Sequence, residues 1–440
     1  MLLTLVSLVA VSGVEAPPAS ASLPTWSVTG SPNIGTNTNE IEGVACPTET
    51  TCVAVGYVVN AAGIRRTLAE IRQDGAWSIT PTANVGTRVT LAGVSCSSAT
   101  SCVAVGSALT GTRLVTLVES WDGTSWSLTP SPNRGAIGNE LTGVSCASAT
   151  SCVAVGYYTD GVGVVRTLVE TWQGTSWTLT TSPSPGLSSA QLNGVSCATA
   201  TSCVAVGSSV VFDGTSRTLV EKWDGTSWSV TTAPSPEPTS SVLIGVSCAG
   251  ATTCVAVGWS GDSFRRTLIE TWRGIDWSVV ASPNPAAVRA AYLRSVSCTT
   301  SARCIAVGFS VNGPTTRTVV EGWNGNVWSI LASPNPGTLD SSLLGVSCAS
   351  ATSCVAGGHR LSNIVASTLV LSGTASPDVT APTVSVSTPV DGGYYVLDQS
   401  AAASYLCVDE FGGAGTSSCT GTVAPGAPIA TSSEGIQSFS

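Results

Sequence analysis

Sixteen cysteines in eight close pairs are the residues of this 440-residue chain whose type and spacing point most directly to chemistry. Paired thiols form disulfides or bind zinc. Zinc needs four ligands, however, and each unit offers only two thiols with no second pair nearby; the one histidine, close to Cys354, leaves even that unit one ligand short. We therefore predict disulfides and no metal, which is typical of an oxidising compartment. The predicted pairs are Cys46 with Cys52, Cys96 with Cys102, Cys146 with Cys152, Cys197 with Cys203, Cys248 with Cys254, Cys298 with Cys304, Cys348 with Cys354, and Cys407 with Cys419.

The single histidine, His359, limits the catalytic centres that the chain could form. One imidazole cannot build a two- or three-histidine metal site, and no Gly-x-Ser-x-Gly elbow is present to complete a Ser-His-Asp triad. The sequence also contains no phosphate loop and no dinucleotide fingerprint, so we predict no cofactor. Paired carboxylates for glycoside hydrolysis stay open, although no spacing singles out two. The candidates are Glu140, Asp160, Asp213, Asp262 and Asp340.

Seven of the cysteine pairs recur in steps of 50 or 51 residues, which identifies a seven-fold internal repeat. In the third unit, short apolar runs at 141–146, 152–156, 166–172 and 177–181 alternate with polar or glycine-containing turns. We name these runs strands a, b, c and d. Four short antiparallel strands in about 50 residues, joined by tight turns, are typical of a β-propeller blade.

The ends of the repeat indicate how the array closes. The seventh unit has no strand d, and the segment 26–33 near the N-terminus matches the strand-d segment 126–133. A closed ring, in which this N-terminal strand completes the seventh blade, removes the sheet edge that an open array would expose. We therefore predict an all-β fold, a seven-bladed propeller closed by its N-terminal strand.

Aromatic residues outside the repeated pattern occupy the b–c and d–a connections, which share one face of a propeller. Variable loops on a rigid scaffold usually carry binding sites, and exposed rings suit stacking on sugars or anchoring a protein. For any single ring, packing under its own loop is the competing interpretation. The predicted ligand-binding residues are Tyr57, Tyr157, Tyr158, Phe212, Trp259, Phe264, Tyr292, Phe309 and His359.

Charged residues that recur in strand c are expected to pair between blades rather than to form one active site. A carboxylate clamp of three arginines would have to line the central channel, whereas the recurring arginines lie on an outer strand. The arginines are Arg66, Arg166, Arg217, Arg266 and Arg317. The glutamates are Glu70, Glu119, Glu170, Glu221, Glu270 and Glu321.

The turn between strands c and d, Trp121-Asp122-Gly123-Thr124-Ser125-Trp126, resembles the Asp-box turn of sialidase-type propellers. It lacks one residue between the aspartate and the glycine of that motif, which is a structural turn in those families. The whole unit, with Val-Ser-Cys, Ser-Cys-Val-Ala-Val-Gly and Ser-Pro-Asn segments, is similar to repeats of secreted actinobacterial proteins. This resemblance implies a secreted propeller and no particular activity.

The two termini differ from the repeat. Residues 1–21 are predicted to be a secretory signal peptide, since an apolar run precedes Ala19-Ser20-Ala21 and is too short to span a bilayer. We assign the propeller to 22–376 and an incomplete immunoglobulin-like domain to 377–440. The latter rests on 380–395, which resembles the start of a bacterial immunoglobulin-like domain.

Composition and charge complete the functional prediction. The net charge is −9 and no basic patch is present, which argues against nucleic acid as a partner. We predict a secreted, monomeric propeller, associated with the cell surface or free. We expect it to bind a glycan or a cell-surface protein through the b–c/d–a face, with no membrane span. The alternatives are a glycan-cleaving enzyme of the sialidase or lyase kind and a structural cell-surface component.

Overall fold

In the computed structural model, every regular element of the described residues is a β-strand. The structure describes 23–185, 188–212, 214–236, 240–362 and 365–375, together with 5–10, 383–388, 393–396, 399–408, 423, 426–429 and 435–439. Strands between 24 and 375 pair in seven antiparallel groups of four, the arrangement of β-propeller blades. The prediction of an all-β propeller is therefore confirmed.

Each group runs from an inner strand a to an outer strand d. Strands a are Asn39–Ala45, Val89–Ser98, Gly138–Ser148, Ser189–Thr199, Ser241–Gly250, Ala290–Thr300 and Asp340–Ser350. Strands b are Cys52–Val59, Ser101–Thr110, Ser151–Thr159, Ser202–Val210, Thr253–Ser260, Arg303–Asn312 and Ser353–Leu361. Strands c are Arg65–Gln73, Arg113–Trp121, Val165–Trp172, Ser216–Trp223, Arg266–Trp272, Thr315–Trp323 and Ala366–Thr374. Strands d are Ala76–Ile79, Trp126–Leu128, Trp177–Thr180, Trp228–Val230, Trp277–Val280, Trp328–Leu331 and, for the seventh group, Thr25–Thr29.

A glycine in strand b sets the register against strand a. A Cβ on Gly156 would lie 2.0 Å from the carbonyl oxygen of Glu140, so no larger residue fits there. The next residue of strand b, Tyr157, pairs directly with Glu140. Strand a carries a bulge just after this pair, between Leu141 and Gly143. The same close contact recurs at Gly56, Gly106, Gly207, Gly258, Gly308 and Gly358. The repeated glycine thus places the residue after it opposite strand a in every unit.

The apolar core lies between neighbouring units rather than inside each one. Val206 and Val220 of the fourth unit, for example, form one buried cluster with Leu243, Ala256 and Leu268 of the fifth. A four-stranded blade cannot bury both of its faces alone, so stacking against the next blade supplies the core. Removing one unit would therefore expose the apolar faces of two others.

The ring closes through the N-terminal strand. Thr25–Thr29 pairs antiparallel with Ala366–Thr374 and so completes the seventh group, as the sequence predicted. On the inner side, a Cβ on Gly345 would lie 3.1 Å from the Cα of Gly43, so the first and seventh strands a also touch. No sheet edge is left between the first and last repeats.

Seven disulfides join strands a and b at the turn that connects them, from Cys46–Cys52 in the first unit to Cys348–Cys354 in the seventh. These thiols are oxidised and are not zinc ligands, which confirms the disulfide prediction for the repeats. Cys419 lies outside the described residues, so its pairing with Cys407 stays a prediction.

The turn between strands c and d is held by its aspartate. The carboxylate of Asp122 accepts hydrogen bonds from the backbone amides of Ser125 and Thr124, both at 2.8 Å. These bonds and the Thr124 hydroxyl lower the pKa of Asp122 to about 2. Gly123 has a φ of 97°, a conformation that favours glycine. Asp122 and Gly123 thus stabilise the turn between strands c and d.

The terminal segments belong to a compact unit that is distinct from the one formed by the seven repeats. Leu5–Ala10, inside the predicted signal peptide, forms a three-stranded sheet with Gly393–Val396 and Gly435–Phe439. Thr383–Thr388 pairs antiparallel with Ser404–Val408. Across the described residues, we find no helix with the length and apolar character that a membrane crossing requires. The signal peptide, the immunoglobulin-like domain and the three domain boundaries stay predictions.

Candidate functional site

A cavity of about 560 Å³ lies in the channel enclosed by the inner strands. Its wall comes mainly from the side chains of strand a that point away from the blades. In the third unit these are Glu140 and Thr142, which flank the fully buried Leu141. The volume falls within the range of roughly 300–1,000 Å³ that small-molecule sites occupy. The cavity extends to the b–c/d–a face, since Arg65, Arg88 and Trp259 also line it.

The two wall positions of strand a differ from unit to unit, unlike the leucine or isoleucine between them. The position before it holds Glu40, Thr90, Glu140, Gln191, Val242, Tyr292 and Ser342. The position after it holds Glu42, Ala92, Thr142, Asn193, Ile244, Arg294 and Leu344, all of which line the cavity. This wall was not predicted from the sequence, because the variable loops were expected to carry the site. The signal was an alternation of variable and constant residues along strand a, which places the variable ones on one face.

Three arginines line the cavity, namely Arg65, Arg88 and Arg294. None belongs to the set that recurs in strand c. None of the recurring arginines lines the cavity, as expected of residues on an outer strand. The three arginines that do line it belong to other positions of the chain. Arg65 is held in position: its guanidinium carbon lies 4.0 Å from the centre of the Tyr57 ring. One of its nitrogens also donates to the Tyr57 hydroxyl at 3.4 Å.

Two glutamates in the cavity wall have raised pKa values. Burial, together with the charge of nearby Glu40, raises the pKa of Glu42 to about 7, against an opposing effect of Arg294. Burial also raises the pKa of Glu140, although Tyr157 and Arg88 favour its ionised form. Burial of the Tyr157 ring, together with the charge of Glu140 beside it, raises the pKa of Tyr157 to about 12. A substantial fraction of the Glu42 carboxyl groups is therefore protonated at neutral pH.

His359 connects the seventh unit to the first. Its Nε2 lies 3.4 Å from Asp340 Oδ2, and its Nδ1 lies 3.3 Å from Glu40 Oε1, an ion-pair contact without the angle of a hydrogen bond. Burial alone would lower the pKa of His359, but the two carboxylates outweigh it and raise the pKa to about 10. Glu40 also accepts a hydrogen bond of 2.6 Å from the Tyr57 hydroxyl. The imidazole thus lies between carboxylates of two units that favour its charged form, which makes it a poor general base.

Three of the predicted rings come together beside the cavity. The Trp259 and Tyr292 rings meet edge to face at 6.1 Å, and Tyr292 lies 5.0 Å from Phe309. Arg265 lies over Trp259, with its guanidinium carbon 4.1 Å from the ring centre, and donates to the Tyr292 hydroxyl at 3.1 Å. Trp259 is the member of this group that lines the cavity. Trp259 of the fifth unit thus lines the cavity, with Tyr292 and Phe309 of the sixth unit packed behind it; we call these three rings the aromatic wall.

The remaining predicted residues do not form one continuous rim. Tyr57 is buried, and Tyr158 packs against the core of the third unit with Arg134 over its ring. By contrast, Phe212 is 79% exposed and Phe264 is 67% exposed, both at b–c connections. The structure therefore separates the predicted set into rings beside the channel, rings under loops and two rings in solvent. Asp213 lies outside the described residues.

Four of the six recurring glutamates of strand c connect neighbouring blades, as expected, but their partners are serines rather than arginines. Ser131, after the strand d of the second unit, donates to Glu170 of the third at 2.8 Å. Equivalent bonds join Ser31 to Glu70, Ser182 to Glu221 and Ser282 to Glu321. In Glu119 the partner is the backbone amide of Ala83. The arginines bond elsewhere; Arg66 and Arg317, for example, donate to loop carbonyls.

Comparisons with known proteins find similar three-dimensional structures but no similar sequences. No protein-family model matches the chain, and no curated protein does. A solved structure of YCF48 bound to D1 peptide is 14% identical, with a TM-score of 0.49, over 82% of this chain and 100% of that one. A mutant of the Aleuria aurantia lectin in complex with Fucalpha1-6GlcNAc is 13% identical, with a TM-score of 0.41, over 66% and 94%. The same lectin mutant with alpha-methyl-L-fucoside is 13% identical, with a TM-score of 0.41, over 72% and 96%.

Proposed function

We propose that this chain is a secreted seven-bladed propeller that binds carbohydrate where its central cavity meets the b–c/d–a face. The observation that carries the proposal is one cavity lined both by Trp259 and by polar side chains, among them Gln191, Asn193 and Glu140. A sugar presents apolar C–H faces and a ring of hydroxyls. An aromatic side chain suits the first, and planar amides and carboxylates suit the second.

The polar side chains are partly held in place before any ligand arrives. Asn193 donates to the Leu243 carbonyl at 2.7 Å, and Gln191 donates to the Asn193 side-chain oxygen at 3.1 Å. Groups fixed in this way lose little conformational freedom on binding, which favours affinity. This rigidity supports binding at the cavity rather than on the exposed loop tips that carry Phe212 and Phe264.

The extracellular location is supported by the seven disulfides, which persist in oxidising compartments. We propose that residues 1–21 are a signal peptide, that 22–376 form the propeller and that 377–440 begin an immunoglobulin-like domain. A module of this kind would serve as a spacer or an adhesion stalk.

The test is a binding screen of the full chain against plant, bacterial and animal glycans, with Trp259→Ala alongside the native protein. We expect binding that Trp259→Ala removes and Trp259→Phe largely retains. Phe264→Ala is the matched control, because this ring lies in the same unit, is exposed and does not line the cavity. If no glycan binds, or if Phe264→Ala is as damaging as Trp259→Ala, the site is misplaced. The surface-protein and structural alternatives then take precedence.

A second candidate, glycan cleavage, is favoured by one observation. Glu40 and Glu42 lie two residues apart on one strand. The pKa of Glu42 is raised to about 7, whereas that of Glu40 is lowered despite its burial. Opposite shifts of this kind assign an acid and a base in known glycosidases. Product release from any bound glycan, abolished by Glu42→Gln, would establish this activity; binding without product would exclude it for that glycan.

A further inference from the structure

Two of the three cavity arginines, Arg88 and Arg294, differ from the third in how few polar contacts their side chains make with the protein. Within the described part of the chain, the side chains of Arg88 and Arg294 form no hydrogen bond and no ion pair within 4 Å. The recurring Arg166, by comparison, pairs with Asp160 at 3.4 Å, and Arg317 donates to a loop carbonyl. Two guanidinium groups in one concave site are therefore available to an incoming group.

The charge of the cavity wall is positive. Against Arg65, Arg88 and Arg294 stand only two carboxyls, Glu42 and Glu140, and burial raises the pKa of both. Glu40 and Asp340 lie nearby but are already engaged by His359. Positive charge in a low-dielectric cleft attracts anions more strongly than the same charge on an open surface.

Resting on the carbohydrate-binding function proposed above, we infer that the cavity takes an anionic saccharide, with Arg88 and Arg294 binding its acidic group and Trp259 its ring. Guanidinium forms paired, charge-assisted hydrogen bonds with planar carboxylates and with sulfate or phosphate oxygens. Arg65 has a different role. Its stacking on Tyr57 and its bond to the Tyr57 hydroxyl fix it at the edge of the site, where it supplies charge with little freedom to move.

The experiment is calorimetric titration of the full chain with three probes. These are a galacturonic acid tetrasaccharide, its fully methyl-esterified form, and a sulfated galactan oligosaccharide of the same length. We expect an acidic probe to bind at least about tenfold more tightly than the neutral ester, with the difference shrinking as salt increases. Preference for the uronate or for the sulfated probe identifies which acidic group the site recognises.

Arg88→Gln and Arg294→Gln should each weaken binding of the acidic probe about tenfold and leave the neutral ester unaffected. Arg266→Gln is the matched control. It removes the same charge from an exposed position of the fifth unit that does not line the cavity. Melting temperatures of all variants establish that the fold is intact. If the ester binds as well as the acids and the arginine variants change nothing, this inference is overturned while carbohydrate binding stands. If no saccharide binds, both fail.

Discussion

The hydroxyl of Ser31 donates a 2.7 Å hydrogen bond to Oε2 of Glu70, and so joins the strand that completes the seventh unit to the outer half of the first. The Ser31 oxygen also shares a hydrogen bond of 2.9 Å with the Thr368 hydroxyl, within the seventh unit. The Ser31 side chain thus forms hydrogen bonds with both the first and the seventh unit, where the ring closes. Glu70 is fully buried, so the bond cannot be replaced by water.

Ser31→Ala should destabilise the ring by about 1–3 kcal/mol, because it leaves a buried carboxyl without its partner. Equilibrium denaturation in urea measures this directly. Ser27→Ala is the control, since Ser27 lies on the strand that precedes Ser31 but its hydroxyl is exposed and 3.5 Å from its acceptor. Equal effects of the two substitutions would contradict a specific role for the bond.

Ala233→Ser tests the same interaction in the opposite direction. Ala233 stands where other units have the donor serine, and Glu270 has no hydrogen-bond partner among the described residues. Supplying a hydroxyl should stabilise the protein by about 1 kcal/mol. The gain should disappear when Glu270→Leu is combined with it, because no acceptor is then left. A gain that persists in the double variant would assign it to another cause.

Stability should fall as the pH rises from about 5 to about 9. Burial raises the pKa values of Glu170, Glu270 and Glu321 to about 8, from an ordinary 4.5. Each group binds its proton more tightly when folded, so its stabilising effect is complete below pH 4.5 and is lost as the pH passes the folded pKa. Each pKa unit corresponds to about 1.4 kcal/mol.

The measurement is the melting temperature as a function of pH for the native chain and for Glu270→Gln. The amide does not ionise, so the variant should show a flatter profile and an advantage that grows above pH 8. Because Glu270 lacks a partner, the substitution removes no hydrogen bond at low pH. A native profile that rises with pH would contradict the assignment.

Reduction should destabilise the propeller progressively. Each disulfide closes a loop of about seven residues, which corresponds to about 2 kcal/mol in the chain-entropy estimate. Replacing both Cys146 and Cys152 with serine should lower stability by about that amount, and treatment with reductant by several times more. Denaturation curves with and without reductant measure both effects. A chain whose stability is indifferent to reductant would show that the bridges have no such role.

The affinity for an acidic saccharide should decrease as the pH rises through 7. Glu42 becomes ionised there, and the charged groups near it are Glu40, Arg294, His359 and Arg65. Ionisation of Glu42 cancels part of the positive charge that Arg294 provides. Glu42→Gln should bind more tightly at pH 8 and show a flatter pH profile. Thr142→Val, which removes a neutral polar group from the same wall, is the control and should leave the profile unchanged.

The features that recur could be predicted from the sequence, because repetition reveals them seven times. The spacing of Cys146 and Cys152, and the match of Trp26 to Trp126, led to the blades, the disulfides and the closing strand. The cavity could not be predicted in the same way. Glu42, Arg294 and Trp259 lie in different units, and only the ring geometry brings them to one space. Their neighbours, such as Arg88, come from loops whose paths the sequence does not define.

The serine–glutamate bonds run around the ring in one direction, from each unit to the next. Between the first and second units, the backbone amide of Ala83 donates to Glu119 in place of a serine. Two other junctions have no such bond among the described residues. One lies between the fourth and fifth units, where Ala233 replaces the donor. The other lies between the sixth and seventh, where Leu371 replaces the acceptor. When the ring is stretched by force or by thermal fluctuation, it should open first at these two junctions. It would then separate into an arc of five blades and an arc of two, and the aromatic wall of Trp259, Tyr292 and Phe309 lies wholly within the shorter arc.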